Sequence, residues 1–293
     1  MVNKNLNKKY SAKACAKINL SLDVLKKRKD GYHEVDHIMY TLKNLYDEIT
    51  ITAKKKKGNT PKIYIKTNKK IPGTKSKNLA YKACDLFIKK FNIDDDIFVT
   101  INKNIPLASG MGGGSSDAAC CIKLLNKIYK LKLSDKTLCK ISSPLGADVP
   151  HFILGGTNRA RGIGQNLKKI NHFNMPTILL AKPNIKKKTS DIYKKIDKHA
   201  SCFGRVKISK IVTLLNNNNF YSALPLFQNI LEMAYDNKKI IGIKNKMIEH
   251  GALCSLMSGA GPTVFGIFKN KKVAFCCAKI LKKGDKNLWV SIV

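Results

Sequence analysis

Fourteen residues, Pro106 to Ala119, limit what this chain can fold into more than any others. They read Pro106-Leu107-Ala108-Ser109-Gly110-Met111-Gly112-Gly113-Gly114-Ser115-Ser116-Asp117-Ala118-Ala119. Upstream, Ile97 to Ile101 has the β-branched and aromatic run of a strand. Downstream, Ala118, Ala119, Ile122, Leu125, Ile128 and Tyr129 recur at spacings of three and four, which predicts one apolar helical face. The order is strand, glycine loop, helix. Backbone without Cβ atoms can approach a bulky anion and aim successive N–H groups at it. The first N–H groups of a helix lack partners within it, and its dipole adds positive charge there. A phosphate chain suits such a place. Ser115 and Ser116 can cap the helix, or bind phosphate oxygens or a metal.

Other readings of the loop fare worse. A flexible linker is not usually held between a buried strand and a strong amphipathic helix. No Lys-Ser/Thr pair follows the last glycine, so this is not a Walker A loop. Gly110-x-Gly112 leads to Ser115 where a dinucleotide fingerprint needs a third glycine. Gly113-Gly114-Ser115-Ser116 ends in Asp117 where a nucleophile elbow wants glycine.

The 293 residues can hold two modest domains or one large one. Apolar residues make up 44% of them, too many for a disordered chain. No apolar run is long enough to span a bilayer, and the Lys/Asn-rich start, Met1 to Tyr10, does not read as a secretory signal. The nine cysteines contain no C-x-x-C, and most sit in apolar patterns, which suits buried thiols in a reducing cytoplasm. A net charge of +36 raises the question of nucleic acid. The lysines are spread over nearly every segment, however, with no Arg-rich recognition helix. Nucleic-acid binding is therefore not the expected role; attraction of anionic substrates is.

Residues 10–25 alternate as a strand, with Ala14, Ala16, Ile18, Leu20 and Leu22 on one side and Cys15, Lys17, Asn19 and Ser21 on the other. Lys17 either faces solvent there or serves as a charge partner for phosphate. Asp30-Gly31 is a turn signal, followed by Tyr32-His33 and a strand from Glu34 to Leu42. An adjacent aromatic and imidazole could clamp a base or sugar; ordinary hairpin chemistry is the alternative. Ile49–Ala53 and Ile63–Thr67 read as strands around a charged loop from Lys54 to Pro61. Asn78–Phe91 reads as a helix with Leu79, Ala83, Leu86, Phe87 and Phe91 inward, and Lys136–Ile141 as another. Asp148 lies between Gly146 and Pro150, in a turn that could present it to a site or use it as a cap. Arg159 to Gly164 gives a glycine-marked bend, and a domain boundary is placed there, between 1–160 and 161–293. Thr177–Ala181 follows as a strand. Helices are expected at Thr189–Ile196, with Tyr193, and at Ile208–Leu215, Leu224–Tyr235, Lys239–His250 and Lys271–Leu281. Ala252–Phe268 reads as strand, Ser-Gly-Ala-Gly turn, strand, and Trp289–Val293 as a closing strand.

Three stretches in order, Ala16–Leu20 with Asp30-Gly31-Tyr32-His33, then Pro106–Ala119, then Met257–Phe268, resemble the motifs of the GHMP small-molecule kinases. Asp30–His33 and Leu145–Pro150 are most similar to the branch acting on a cytidine-diphosphate-linked polyol of non-mevalonate isoprenoid synthesis. The resemblance implies an α+β fold in two lobes with the active site in the cleft between them, ATP as donor, Mg²⁺ bridging its phosphates, and an alcohol acceptor. It implies Asp148 as catalytic base and Lys17 as its partner. Pro106, Leu107, Ala108, Ser109, Gly110, Met111, Gly112, Gly113, Gly114, Ser115 and Ser116 match the nucleotide loop, with Asn78 near the adenine. Asn19, Tyr32 and His33 match substrate contacts, and Tyr193 a ring stacking on cytosine. A soluble monomer or weak homodimer is expected. Met111 in place of Leu, and Gly162-Ile163-Gly164-Gln165 in place of a more polar bend, depart from the pattern without removing a reacting group. Homoserine, mevalonate or a sugar remain alternative acceptors, and a basic nucleic-acid binder the alternative of another class.

Overall fold

The computed structural model describes residues 9–55, 60–185, 189–199 and 205–293. Most of the Lys/Asn-rich start, the middle of the charged loop after Lys55, and Cys202 lie outside them. Among the described residues the strands are β1 (Tyr10–Lys27), β2 (His33–Lys54), β3 (Ile63–Thr67), β4 (Asp96–Asn102), β5 (Thr157–Gly162), β6 (Asn166–Lys169), β7 (Thr177–Lys182), β8 (Ala252–Met257), β9 (Val264–Phe268) and β10 (Trp289–Ile292). The α-helices are α1 (Leu79–Phe91), α2 (Gly113–Ile128), α3 (Asp135–Ser142), α4 (Val149–Leu154), α5 (Thr189–His199), α6 (Ile208–Asn216), α7 (Phe220–Ala223), α8 (Ile230–Met233), α9 (Lys238–Glu249) and α10 (Lys271–Gly284). None of them is long and apolar enough to cross a membrane.

The chain divides into two compact units, and β1 and β2 pass from one to the other. The first comprises residues up to Ala16, Lys43–Leu107 and Gly112–Gly155. Here β3 runs parallel to β4, and β4 antiparallel to the second half of β2, with Ile51 opposite Val99. Parallel neighbours need a crossover, and α1 supplies it. The sheet residues Ile49, Ile51, Ile97, Val99 and Ile101 form one buried cluster with Ala83, Cys84 and Phe87 of α1 and Cys121, Ile122 and Leu125 of α2. Asn78 caps α1 by accepting from the Ala80 N–H at 2.9 Å.

The second unit comprises Lys17–Leu42, Ala108–Met111 and Gly156–Val293. The first half of β2 pairs antiparallel with β5, and β5 with β6. A separate sheet has the order β10-β7-β9-β8, antiparallel throughout. Every residue of β9 is buried, and Met247 of α9 with Cys277 and Leu281 of α10 adds to this core.

Three expectations change. Glu34–Leu42 and Ile49–Ala53 are parts of a single 22-residue strand, β2. No Gly or Pro interrupts it, and Leu45, Asp47, Ile49, Ile51 and Ala53 keep the alternation of buried positions going. The bend at Arg159–Gly164 is a hairpin between β5 and β6, strands too short and polar to signal themselves. Leu224–Tyr235 is not one helix. A 3₁₀ turn at Leu224–Leu226 gives way to extended backbone at Phe227, and α8 restarts after Asn229. Pro225 supplies no N–H to continue a helix. The freed segment pairs with β1 instead: Leu22 N–H donates to the Gln228 carbonyl at 2.9 Å, and the Gln228 N–H to Ser21 Oγ at 2.9 Å.

Candidate active site

The glycine loop ends sooner than its sequence suggests. Helix α2 starts at Gly113, with Gly112 at the N-cap position in a left-handed conformation (φ +72°). Gly114, Ser115 and Ser116 therefore lie in its first turn, and neither serine caps it. Ser116 Oγ instead donates to the Cys15 carbonyl at 2.7 Å. The N–H groups of Gly113, Gly114 and Ser115 fall within the first turn, where a helix offers them no acceptor. Position 113 is tight, since an added Cβ would lie 3.2 Å from Ile105 Cγ2 and 3.3 Å from Lys103 Nζ, and those side chains would have to give way by a few tenths of an ångström. Pro106 and Leu107 lead into the loop from this first unit. Asn78, as well as capping α1, lines a cavity of about 110 Å³ with Ile65, Thr67, Ile71, Gly73 and Thr74.

In the second unit the middle of the loop is locked to two distant stretches. Gly110 adopts φ +77°, and a Cβ there would stand 2.6 Å from the Ser258 carbonyl oxygen and 2.7 Å from that of Gly261. The Met111 carbonyl accepts from the Lys17 N–H at 3.0 Å, and the Ser109 carbonyl from Thr263 N–H at 3.3 Å. Ser258 Oγ in turn accepts from the Asn19 N–H at 3.3 Å. Ala108 is forced to φ +49°, a conformation unfavourable for a residue with a Cβ. Three stretches far apart in sequence, Lys17–Asn19, Ser109–Met111 and Ser258–Thr263, thus interlock.

Lys17 is 4% exposed, so the solvated-face reading is excluded. Its Nζ donates to Asn19 Oδ1 at 2.5 Å, and a Cβ on Gly259 would lie 3.5 Å from that nitrogen. Asn19 Nδ2 lies 2.8 Å from His37 Nδ1, which fixes the amide that orients the lysine. Asn229 supports the Ser258–Gly261 turn from below, its Nδ2 donating at 2.8 Å to the carbonyls of both Met257 and Gly259.

His33 and Tyr193 meet. Their rings stand 4.7 Å apart, tilted by 32°. His33 Nε2 lies 2.6 Å from Asp197 Oδ1, whose other oxygen accepts from Lys27 Nζ at 2.8 Å. Hydrogen bonds from His33 and Lys27 hold the Asp197 carboxyl below its usual pKa. Tyr32 projects outward, 62% exposed, from a turn in which Asp30 accepts its N–H at 3.1 Å.

Asp148 belongs to the first unit and Lys17 to the second. Asp148 stands at the N-cap position of α4, yet its side chain makes no capping bond and its backbone is already helical. The carboxylate is thus not used in the way a turn acid usually is, as a cap.

His37, Asn229, Asp197 and the buried Asp47–Lys103 pair were not singled out from sequence. Each acts through a partner more than fifteen residues away, and no local pattern reports that.

Comparison with known proteins agrees with the geometry. The GHMP kinases N terminal domain matches residues 78–156, and the GHMP kinases C terminal domain matches residues 208–285. A 4-diphosphocytidyl-2-C-methyl-D-erythritol kinase of Clostridium botulinum (strain Loch Maree / Type A3) is 39% identical over 282 residues, 96% of this chain and 98% of its own. One from Clostridium beijerinckii is 37% identical over 281 residues, 95% and 98% respectively. A crystal structure of 4-(cytidine 5'-diphospho)-2C-methyl-D-erythritol kinase superposes with a TM-score of 0.79 at 26% identity, covering 97% of this chain and 98% of that one. A homoserine kinase from Cytophaga hutchinsonii shares the fold alone, with a TM-score of 0.74 at 18% identity over 100% of this chain and 96% of its own. The chain belongs to the GHMP kinase family, in its 4-diphosphocytidyl-2-C-methyl-D-erythritol kinase branch.

Proposed function

We infer that this chain transfers the terminal phosphoryl group of ATP to the 2-hydroxyl of 4-diphosphocytidyl-2-C-methyl-D-erythritol. The observation that carries the reading is the interlock of Lys17–Asn19, Ser109–Met111 and Ser258–Thr263, three motifs that composition gives no reason to bring together. Phosphoryl transfer asks a protein for alignment and charge neutralisation more than for covalent help. The backbone from Gly110 into the first turn of α2 supplies both to an anion: glycine conformations that leave room, and N–H groups at the positive end of a helix.

Lys17 and Asp148 take the reacting centre. Asp148 accepts the proton of the 2-hydroxyl as the new bond forms. Buried and held by Asn19, Lys17 offsets charge on the transferred group. His33, braced by Asp197, and Tyr193 suit the flat face of a cytosine, with Tyr32 at the edge of the same region. Asn78 and the cavity beside it suit the adenine.

Mg²⁺ is read here as travelling with ATP. A Mg²⁺ ion carried on nucleotide phosphates needs only one or two oxygens from the protein. The donors would then be phosphate oxygens, with the Ser115 hydroxyl as the protein's contribution, since Ser116 is committed to Cys15. The ion would neutralise charge between the outer phosphates. The described cysteines are all free thiols, in keeping with a cytoplasmic setting.

The test is single turnover with labelled ATP and Mg²⁺ against a panel of alcohols. The cytidine diphosphate substrate should be phosphorylated, and homoserine and mevalonate at no more than about a hundredth of its rate. Equal transfer to homoserine or mevalonate would assign the chain another acceptor.

A further inference from the structure

Helix α2 and strand β4 hold between them a charge cluster that the reaction outlined above does not use. Lys103, just beyond β4, is 3% exposed; Asp47 of β2 is 0% and Asp117 of α2 is 2% exposed. Lys103 Nζ donates to Asp117 Oδ2 at 2.7 Å and makes a still shorter bond to Asp47 Oδ2. The other oxygen of Asp47 accepts from the backbone N–H of Asn104 at 2.6 Å and of Ile105 at 2.8 Å. Asp117 Oδ1 is buried with no hydrogen-bond partner.

These contacts have a direction. Asp47 fixes the strand end that enters the glycine loop at Pro106. Asp117 sits in the helix by which the chain leaves it. Lys103 ties the two together beside Gly113, where an added Cβ would stand 3.3 Å from Lys103 Nζ. Isolated buried ions are expensive, and an acid left with an unsatisfied oxygen is no device for stability alone. We propose that Lys103 and Asp117 are positioning residues for the phosphates of ATP, clamping the two stems of the glycine loop so that its N–H groups are set before the nucleotide arrives. The proposal rests on the loop being the nucleotide site. Electrostatics mark the same three residues as closely coupled. Burial pushes the Asp117 carboxyl up to about 7, with Asp47 adding to the rise and Lys103 opposing it. Burial works against the Lys103 cation, but the two acids outweigh it and hold its pKa above the usual value.

Asp117→Leu and Asp117→Asn test this. Both leave Lys103 paired one-to-one with Asp47. The asparagine keeps an acceptor for Lys103, and the leucine removes it. Nucleotide affinity is read by calorimetry with a non-hydrolysable ATP analogue, so that it is measured whatever alcohol the enzyme accepts. The KM values for ATP and for the alcohol are read from turnover. Affinity for the analogue should fall about threefold in Asp117→Asn and about tenfold in Asp117→Leu, with the KM for ATP rising in step and that for the alcohol within about twofold of wild type. Unchanged analogue affinity in Asp117→Asn overturns the proposal even if the leucine variant does not fold. So does an equal rise in both KM values, which would mark a general loosening. Wild-type protein that binds no analogue would instead refute the nucleotide loop itself.

Discussion

At the scale of single residues, the site depends on positions where one atom more or less decides the outcome. Gly110 is the clearest. Its left-handed backbone and the carbonyls of Ser258 and Gly261 leave no space for a methyl group. Gly110→Ala should cost about 2 kcal/mol or more, read as a lowered melting temperature, because backbone and not a flexible side chain would have to yield. An unchanged melting temperature would mean the loop and the Ser258–Gly261 turn do not meet. Asp148 makes the opposite kind of prediction. Asp148→Ala should lower turnover about 100-fold or more with ATP binding nearly unchanged, since the proton acceptor is lost. Near-normal turnover would remove Asp148 from that role. Lys17 illustrates what sequence could and could not give. Alternation marked it as the single charge in a quiet strand, but only the fold buries it and hands it to Asn19.

At the scale of elements, the strands and helices with strong periodicity were legible, and those held by tertiary contacts were not. Helix α1, β3, β7 and the β8–β9 hairpin fall where apolar spacing puts them, and the Asn78 cap of α1 is added by the structure. The inward face of α1 is only partly the one expected. Ala83 and Phe87 are buried as the spacing predicts, joined by Ala80, Cys84 and Ile88, while Leu79, Leu86 and Phe91 are only partly buried. The break between Leu224 and Ile230 could have been suspected at Pro225, but its purpose lies elsewhere. Asn229 caps α8 at Leu231 and satisfies two buried carbonyls of the Ser258 turn. Asn229→Ala should therefore destabilise the protein by about 2–4 kcal/mol, more than a surface cap is worth. Chemical denaturation would measure it, and a loss below about 0.5 kcal/mol, the size of a surface change, would contradict the bonds described.

At the scale of the whole molecule, length, the α+β class and the kinase family could be read from the order of motifs, whereas the clamp around Lys103 could not. Three acidic and basic positions at 47, 103 and 117 look like any others in a chain carrying 55 Lys and Arg. Their burial gives the fold a pH signature. Asp117 titrates near 7 when folded and near 3.8 when unfolded, so the native state binds the extra proton between those values. Stability from this group is thus greatest below pH 4 and declines as pH rises towards 7. Asp117→Asn cannot titrate, and its melting temperature relative to wild type should rise across that interval. A constant difference would mean the carboxyl is ionised throughout.

The reaction itself can be read most directly by phosphorus NMR of the product formed from ATP, Mg²⁺ and the cytidine diphosphate polyol. One new phosphomonoester, coupled to the methyl-bearing carbon that carries the 2-hydroxyl and formed in a one-to-one ratio with ADP, is the predicted result. Release of inorganic phosphate alone, or an ester on a different hydroxyl, would contradict it.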